Sequence, residues 1–206
     1  MTQSISDLYY GITNRRFLYN IMPIRNIPSV IEHGIVCFDM MRNFPHASVA
    51  QSEVQKRRDQ VYIPGGQRLH SYANLYFAYD NPMLYKRKDQ AEELCILVIS
   101  SKVMNIEGCI VSDQNAATDL VRFFPPETGL GLIDFDLVFA QFWTHSDDYY
   151  KQIHHKRVKC AEVLIPERVP YKYVVGAYVL NEQSYDIMVD YGFSRKIVIN
   201  SGVFYR

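Results

Sequence analysis

Glu162 is the only charged residue in the apolar run Ala161-Glu162-Val163-Leu164-Ile165-Pro166. A carboxylate that begins an apolar strand either points outward from a half-exposed sheet or is held in a cleft whose chemistry needs an anion. Alternation along the run favours the outward placement. Two further segments carry residue types that bind or orient ligands. Val54-Gln55-Lys56-Arg57-Arg58 puts consecutive cations at the end of a helical stretch, where they complement the helix dipole and face water. Arg68 to Ala78, continued by Asn81-Pro82-Met83-Leu84-Tyr85, reads as an aromatic-rich strand with an Asn-Pro turn, the composition of a core strand. The common catalytic signatures are missing: no GxGxxG, Walker loop, GxSxG or HExxH is present. Gly129 and Gly131 in GLGL lack a third glycine and a preceding strand, so they read as a turn. His154-His155 has no nearby cysteine or acidic ligand pair and reads as a solvated loop pair, without a metal.

The elements around these residues alternate irregularly. Phe17 to Phe38 predicts a strand, a short helix with Asn26 as its cap and Pro28 in its first turn, a stop at Gly34 and a second strand. A helix is expected from about Ser48 to Arg58, then a Pro-Gly-Gly turn. The runs ANLYFAY, ELCILVIS and GCIVS predict strands, and AATDLVRFF a helix. The C-terminal third reads as strand VVGAYVL, a helix ending at Gly192 and strand KIVIN. Strands outnumber helices, which argues for α+β and against a doubly wound parallel sheet.

A chain of 206 residues with 22 basic and 22 acidic side chains suits one domain spanning 1–206, and 48% apolar content argues against disorder. Neutrality removes the overall positive charge expected of a protein that coats duplex DNA, while leaving room for a local basic patch. No run approaches the ~20 apolar residues of a membrane span, and the N-terminus has no secretory h-region, so a cytoplasmic protein without membrane contact is expected. Cys37, Cys95, Cys109 and Cys160 are dispersed without CxxC or Cys-x-x-His spacing and read as buried free thiols. The 16 Tyr and 11 Phe suit a core and also the stacking of bases or a nicotinamide ring.

Taken together, the opening LYNI…NIPSVIEHGI, the VQKRR helix, LHSYANLYFAYDNPMLY and KRVKCAEVLIPERVP resemble, in the same order, the DarT family of toxins from DarT–DarG toxin–antitoxin systems. The similarity runs from about Leu18 to Pro170, and SYxxLYF…NPMLY together with AEVLIP is its most specific part. It implies the ADP-ribosyltransferase fold, an α+β split pair of mainly antiparallel sheets with flanking helices and NAD in the crevice. It also implies transfer of ADP-ribose from NAD to a base of single-stranded DNA, and an ADP-ribosyl hydrolase antitoxin of the DarG kind, macrodomain or NADAR in type.

By the same resemblance Glu162 falls on the catalytic glutamate. Arg58 falls on the arginine beside NAD, with Arg57 as the alternative register. Asn20, Met22, Tyr72, Tyr76 and Met83 line the NAD cleft, and the residues near Met40 to Gly66 form the element that folds over it. The stretch from about Gln141 to Lys159, with Trp143, His154, His155, Lys156 and Arg157, forms the loop that receives DNA. Many family members have His-x-Thr where this chain reads Asn20-Ile21-Met22. Asparagine still donates and accepts hydrogen bonds, whereas Met22 replaces no hydroxyl. The departure favours the guanosine-modifying branch over the thymidine one.

The implied chemistry fits these side chains. Loss of neutral nicotinamide leaves positive charge on the ribose, which an adjacent anion such as Glu162 stabilises. The same carboxylate can take the proton of the acceptor base, while Arg58 positions NAD. A duplex hides the acceptor, so the strand must be single or transiently unpaired. Lys151, Lys156, Arg157 and Lys159 suit phosphates, and Trp143, Tyr149 and Tyr150 suit bases. Two other readings remain: transfer to RNA or protein, and a nucleotide-binding module without catalysis.

Overall fold

The run Leu94 to Ile99 is buried on both faces and forms β4 (Leu94–Ser100), the strand around which the computed structural model, which describes residues 3–41 and 52–205, is arranged. Such a continuous apolar strand requires cover on both sides. Along one edge it pairs antiparallel with β1 (Phe17–Pro23), from Phe17 opposite Ser100 to Pro23 opposite Leu94. Along the other it pairs antiparallel with β9 (Val174–Val179), and β10 (Lys196–Ile199) lies parallel to β9 after the helix α9 (Glu182–Asp190). A second group holds β3 (Tyr72–Tyr76) antiparallel to β7 (Glu162–Pro166), which pairs with β5 (Ile110–Ser112) and through it with β6 (Phe123–Phe124).

These groups form one eight-stranded sheet in the order β10-β9-β4-β1-β3-β7-β5-β6, but β1 and β3 share only the rung Tyr19 opposite Tyr76. The sheet is thus split at its centre. A small antiparallel pair, β2 (Ile35–Val36) with β8 (Arg168–Val169), stands beside it. Gly34, just before β2, has φ 80°, and a Cβ there would collide with the Val169 carbonyl oxygen, so only glycine fits.

Strand alternation divides the core in two. Leu18, Leu75, Leu97, Ile99 and Val163 face one side, under α1 (Ile5–Thr13), α2 (Ile27–His33), α6 (Pro126–Gly129) and α7 (Phe135–Phe139). Tyr19, Ile21, Tyr76, Ile96 and Cys160 face the other, beside α5 (Pro82–Tyr85) and the C-terminal Phe204. The short α3 (Phe38–Met41), α4 (Ser52–Gln60) and α8 (Tyr149–Val158) border the split.

The strand, helix and strand expected before Phe38 are present, and so are the C-terminal strand, helix and strand. Asn26 does not cap α2 through its side chain; a 3-10 turn over Ile24–Asn26 leads into the helix instead. The expected helix at Ala116 is a series of turns ending in β6. There Asn115 Oδ1 accepts the Ala117 N–H, Ser112 Oγ donates to the Gln114 carbonyl and Gln114 Nε2 donates to the Leu120 carbonyl. Such local side-chain bonds compete with a helical ladder. The expected loop from 141 to 159 contains α8, whose N-cap Asp148 accepts the Lys151 N–H. Residues 48–51 of the expected helix, and residues 42–51 of the element expected over NAD, lie outside the described residues.

Candidate active site

The split between β1 and β3 opens a cleft. Two adjoining cavities occupy it and share Asn20, Ile21, Gln55, Arg58 and Asn74. The inner cavity adds Met22, Phe38, Leu69, His70 and Tyr72, and the outer one Tyr76, Met83, Lys86, Thr118 and Cys160. Asn20 spans the split: its Nδ2 donates to the Asn74 carbonyl at 3.0 Å. Its buried Oδ1 has no hydrogen-bond partner among the described residues, which leaves an acceptor at the wall both cavities share. Asn20, Met22, Tyr72, Tyr76 and Met83 therefore all line this cleft, Met22 and Tyr72 on the inner side, Tyr76 and Met83 on the outer.

Glu162 begins β7 opposite Tyr76 and is fully buried, so the outward placement suggested by alternation is corrected. Burial is tolerated because the carboxylate is matched on several sides. Arg58 Nη1 lies 3.1 Å from each of its oxygens, and the Ala116 N–H donates to Oε1 at 3.0 Å. The Glu162 N–H donates to Ser112 Oγ at 3.1 Å, which ties the start of the strand to the same turn. Sequence reasoning missed Ser112 and Ala116. The signal was the polar run Ser112-Asp113-Gln114-Asn115, a turn composition ahead of the alanines.

Neighbouring groups stay neutral. Burial, reinforced by the Glu162 charge, pushes the Tyr76 hydroxyl far above its ordinary range. The same causes push the Cys160 thiol up to about 12, so Cys160 is an inert part of the wall.

On α4 the i, i+3, i+4 spacing puts Gln55, Arg58 and Asp59 on one face. Arg58 is the arginine that reaches Glu162, while Arg57 is exposed and lines the outer cavity. Along α8, Ile153, Lys156 and Arg157 line the outer cavity. His154 is exposed, whereas His155 is buried, so the pair is helical and only half solvated. His155 Nε2 meets the Leu137 carbonyl and its Nδ1 meets His145 Nε2, each at 2.9 Å, and burial holds its pKa below the ordinary histidine value. Trp143 is buried too, edge-on to Tyr85 and Tyr205. Lys159 is fully buried, donating to Asp80, the Val138 carbonyl and the Ala140 carbonyl. The cleft thus gathers Arg58, Lys156 and Arg157, with Glu162 buried behind Arg58 and lining neither cavity, and leaves Trp143, His155 and Lys159 in the packing around it. Among the described residues no group of His, Cys, Asp and Glu could hold a metal ion, and no helix is long and apolar enough to cross a membrane.

Residues 19–205 match the family model described as "ssDNA thymidine ADP-ribosyltransferase, DarT". The chain is 26% identical over 174 residues to a DNA ADP-ribosyl transferase-DNA ADP-ribosyl glycohydrolase fusion protein of Thermosipho africanus, covering 82% of this chain and 43% of that protein. It is 26% identical over 176 residues to a DNA ADP-ribosyl transferase of Thermus aquaticus, covering 80% of this chain and 75% of that one. The chain thus spans under half of the fusion protein. Among solved structures, Thermus sp. 2.9 DarT in complex with ADP-ribosylated ssDNA superposes with a TM-score of 0.78 at 21% identity, covering all of both chains. Thermosipho africanus DarTG in complex with ADP-ribose superposes with a TM-score of 0.78 at 22% identity, over 93% of this chain and 51% of that one. The fold is that of these proteins.

Proposed function

Because the chain belongs to the DarT family, we propose that it is an NAD-dependent transferase that moves ADP-ribose onto a base of single-stranded DNA. The observation that carries this reading is Glu162 buried beneath Arg58, a residue common to both cavities. Two further facts support it: Thermus DarT has been solved with NAD+ and with ADP-ribosylated ssDNA.

The residues suit NAD as co-substrate. Asn20 Oδ1, without a partner among the described residues, offers an acceptor to an amide or a ribose hydroxyl, and Arg58 offers a cation to phosphate or ribose. NAD contributes the scissile glycosidic bond and nicotinamide as leaving group. As that bond lengthens, positive charge grows on the ribose; the Glu162 carboxylate, which lies behind Arg58 and lines neither cavity, stabilises that charge when Arg58 turns from it toward NAD. The same carboxylate accepts the proton the base loses as its nitrogen bonds the ribose carbon. Arg58 acts by positioning.

The acceptor strand enters from the outer cavity. Lys86, Lys156 and Arg157 are donor-only groups there. Such donors suit the phosphates of the strand, and the departure of Asn20-Ile21-Met22 from His-x-Thr favours guanine over thymine. RNA and protein are the competing acceptors.

Modification of bases is toxic, so the partner is an antitoxin of the DarG kind that hydrolyses the ADP-ribosyl mark, macrodomain or NADAR in type. The fusion of transferase and glycohydrolase in the Thermosipho relative supports such a pairing. The cytoplasm supplies both NAD and transiently single-stranded DNA.

The test is the intact mass of four short single-stranded oligonucleotides, each presenting one base type, after incubation with protein and NAD. One ADP-ribose adduct confined to the guanine oligonucleotide is expected. An adduct confined to thymine reverses the base assignment. No adduct with nicotinamide release redirects the search to RNA or protein, and NAD binding without release leaves a binding module.

A further inference from the structure

The sequence of α4, SEVQKRRDQ, contains a single apolar residue, so this helix cannot be held by an apolar stripe as surface helices usually are. Its polar face does the holding. Gln55 Oε1 meets His70 Nε2 at 3.0 Å, Arg58 meets Glu162, and Asp59 Oδ1 lies 3.1 Å from Arg68 Nη1 and 3.2 Å from His70 Nδ1. Arg68 reaches a second carboxylate as well: its Nη2 lies 3.2 Å from Asp39 Oδ1 in α3, and Asp39 Oδ2 also accepts from Ser71 Oγ at 3.0 Å. The backbone reinforces this junction. Tyr62 and Arg68 form an isolated bridge, and the Leu69 N–H donates to the Val61 carbonyl. One guanidinium therefore fastens α3 and α4 to the turn that enters β3, the strand opposite Glu162.

We infer that Arg68 is a positioning residue of the transferase: by clasping Asp39 and Asp59 it sets the place of α4, and so delivers Arg58, next in the chain to Asp59, onto Glu162. The inference rests on the reading of Glu162 and Arg58 as the reacting pair. Asp59 is half-exposed and Arg68 and Asp39 are partly so, and exposed ion pairs contribute little to global stability. Their effect is on placement instead, to which transfer is far more sensitive than the fold is. Sequence patterns gave no hint of this, because Asp39, Asp59 and Arg68 are scattered over three elements.

The experiment compares Arg68→Ala, Arg68→Lys and Asp59→Asn for kcat, KM for NAD and thermal midpoint, and repeats Arg68→Ala in an Arg58→Lys background. Arg68→Ala is expected to lower kcat/KM for NAD by about 10- to 100-fold, with the midpoint moving by less than about 4 °C. Arg68→Lys, which keeps the charge without the fork, and Asp59→Asn fall between. In the Arg58→Lys background, Arg68→Ala adds less than about a twofold loss, because a group acting through Arg58 has nothing left to place. Transfer by Arg68→Ala within about twofold of wild type, or an equal loss in both backgrounds, overturns the inference. If Arg58→Lys itself transfers at the wild-type rate, it is the assignment of Arg58 that fails.

Discussion

Arg58 Nη1 lies 3.1 Å from both oxygens of Glu162, although the two residues stand 104 positions apart in the chain. With the Ala116 N–H on Oε1, the carboxylate is a fixed, charge-matched anion with no exposed surface. Such a group is arranged to meet positive charge that appears during reaction. Glu162→Ala should nearly abolish transfer while leaving the fold intact, and Glu162→Gln should lower kcat by roughly 10³-fold, near the middle of the range for loss of an acid–base group. Adduct formation followed by mass, with circular dichroism on the same samples, checks this. Wild-type transfer by a folded Glu162→Ala variant would sink the assignment.

Asn20 offers a more graded test. Its Nδ2 pins Asn74 across the split, and its Oδ1, beside both cavities, has no partner among the described residues. Removing one hydrogen bond to a ligand weakens binding by about 1–1.5 kcal/mol, roughly tenfold. Asn20→Ala should therefore raise KM for NAD by about tenfold. If initial-rate kinetics give an unchanged KM, the amide serves the sheet alone.

Most strands were legible because their signal is local: Leu94 to Ile99 is apolar throughout, and Val174 to Val179 is β-branched, small or aromatic. Glu162 stood out for the same reason, as a charge in an apolar run. What could not be read was its partnership. Alternation describes one strand against water, whereas Glu162 is buried because Arg58 and Ala116 arrive from distant segments to meet it. The turn at Ala116 was hidden too, since AATDLVRFF satisfies helical periodicity and only the side-chain bonds of Ser112, Gln114 and Asn115 decide otherwise. Lysines look alike in sequence as well: Lys156 lines the outer cavity, and Lys159, three residues on, is fully buried.

That difference between the two lysines is measurable. Each cation that neutralises a phosphate of single-stranded DNA contributes about 0.7 to the slope of log K against log salt. Lys156→Ala should reduce the slope by about that amount with little change in stability. Lys159→Ala should leave the slope unchanged and destabilise the fold by about 2–3 kcal/mol. This sits at or below the usual loss for a broken buried pair, because the Asp80 carboxylate left behind is one-third exposed and regains water. Oligonucleotide titrations at several salt concentrations, together with urea unfolding, separate the two effects. Equal slopes for Lys156→Ala and wild type would remove α8 from the DNA path.

Acid should loosen the fold through its buried histidines. Burial is the main cause that holds His155 and His70 below the ordinary pKa, although Asp59 and Asp39 pull His70 the other way. The folded chain therefore resists protonation that the unfolded chain accepts near pH 6.5. A histidine kept neutral in this way contributes its full stability above that pH. The contribution is lost progressively as pH falls from about 6.5 toward the lowered folded value, at up to about 1.4 kcal/mol per pH unit for each group. For His155 the structural consequence is specific. Its two nitrogens are committed to His145 and the Leu137 carbonyl. A proton on Nδ1 would face the donor nitrogen of His145 and part α8 from the segment before it. Urea midpoints should decline between pH 7.5 and 5.5, and His155→Gln, which keeps polar atoms without titrating, should flatten that decline. A midpoint that falls equally in wild type and His155→Gln would place the acid sensitivity elsewhere.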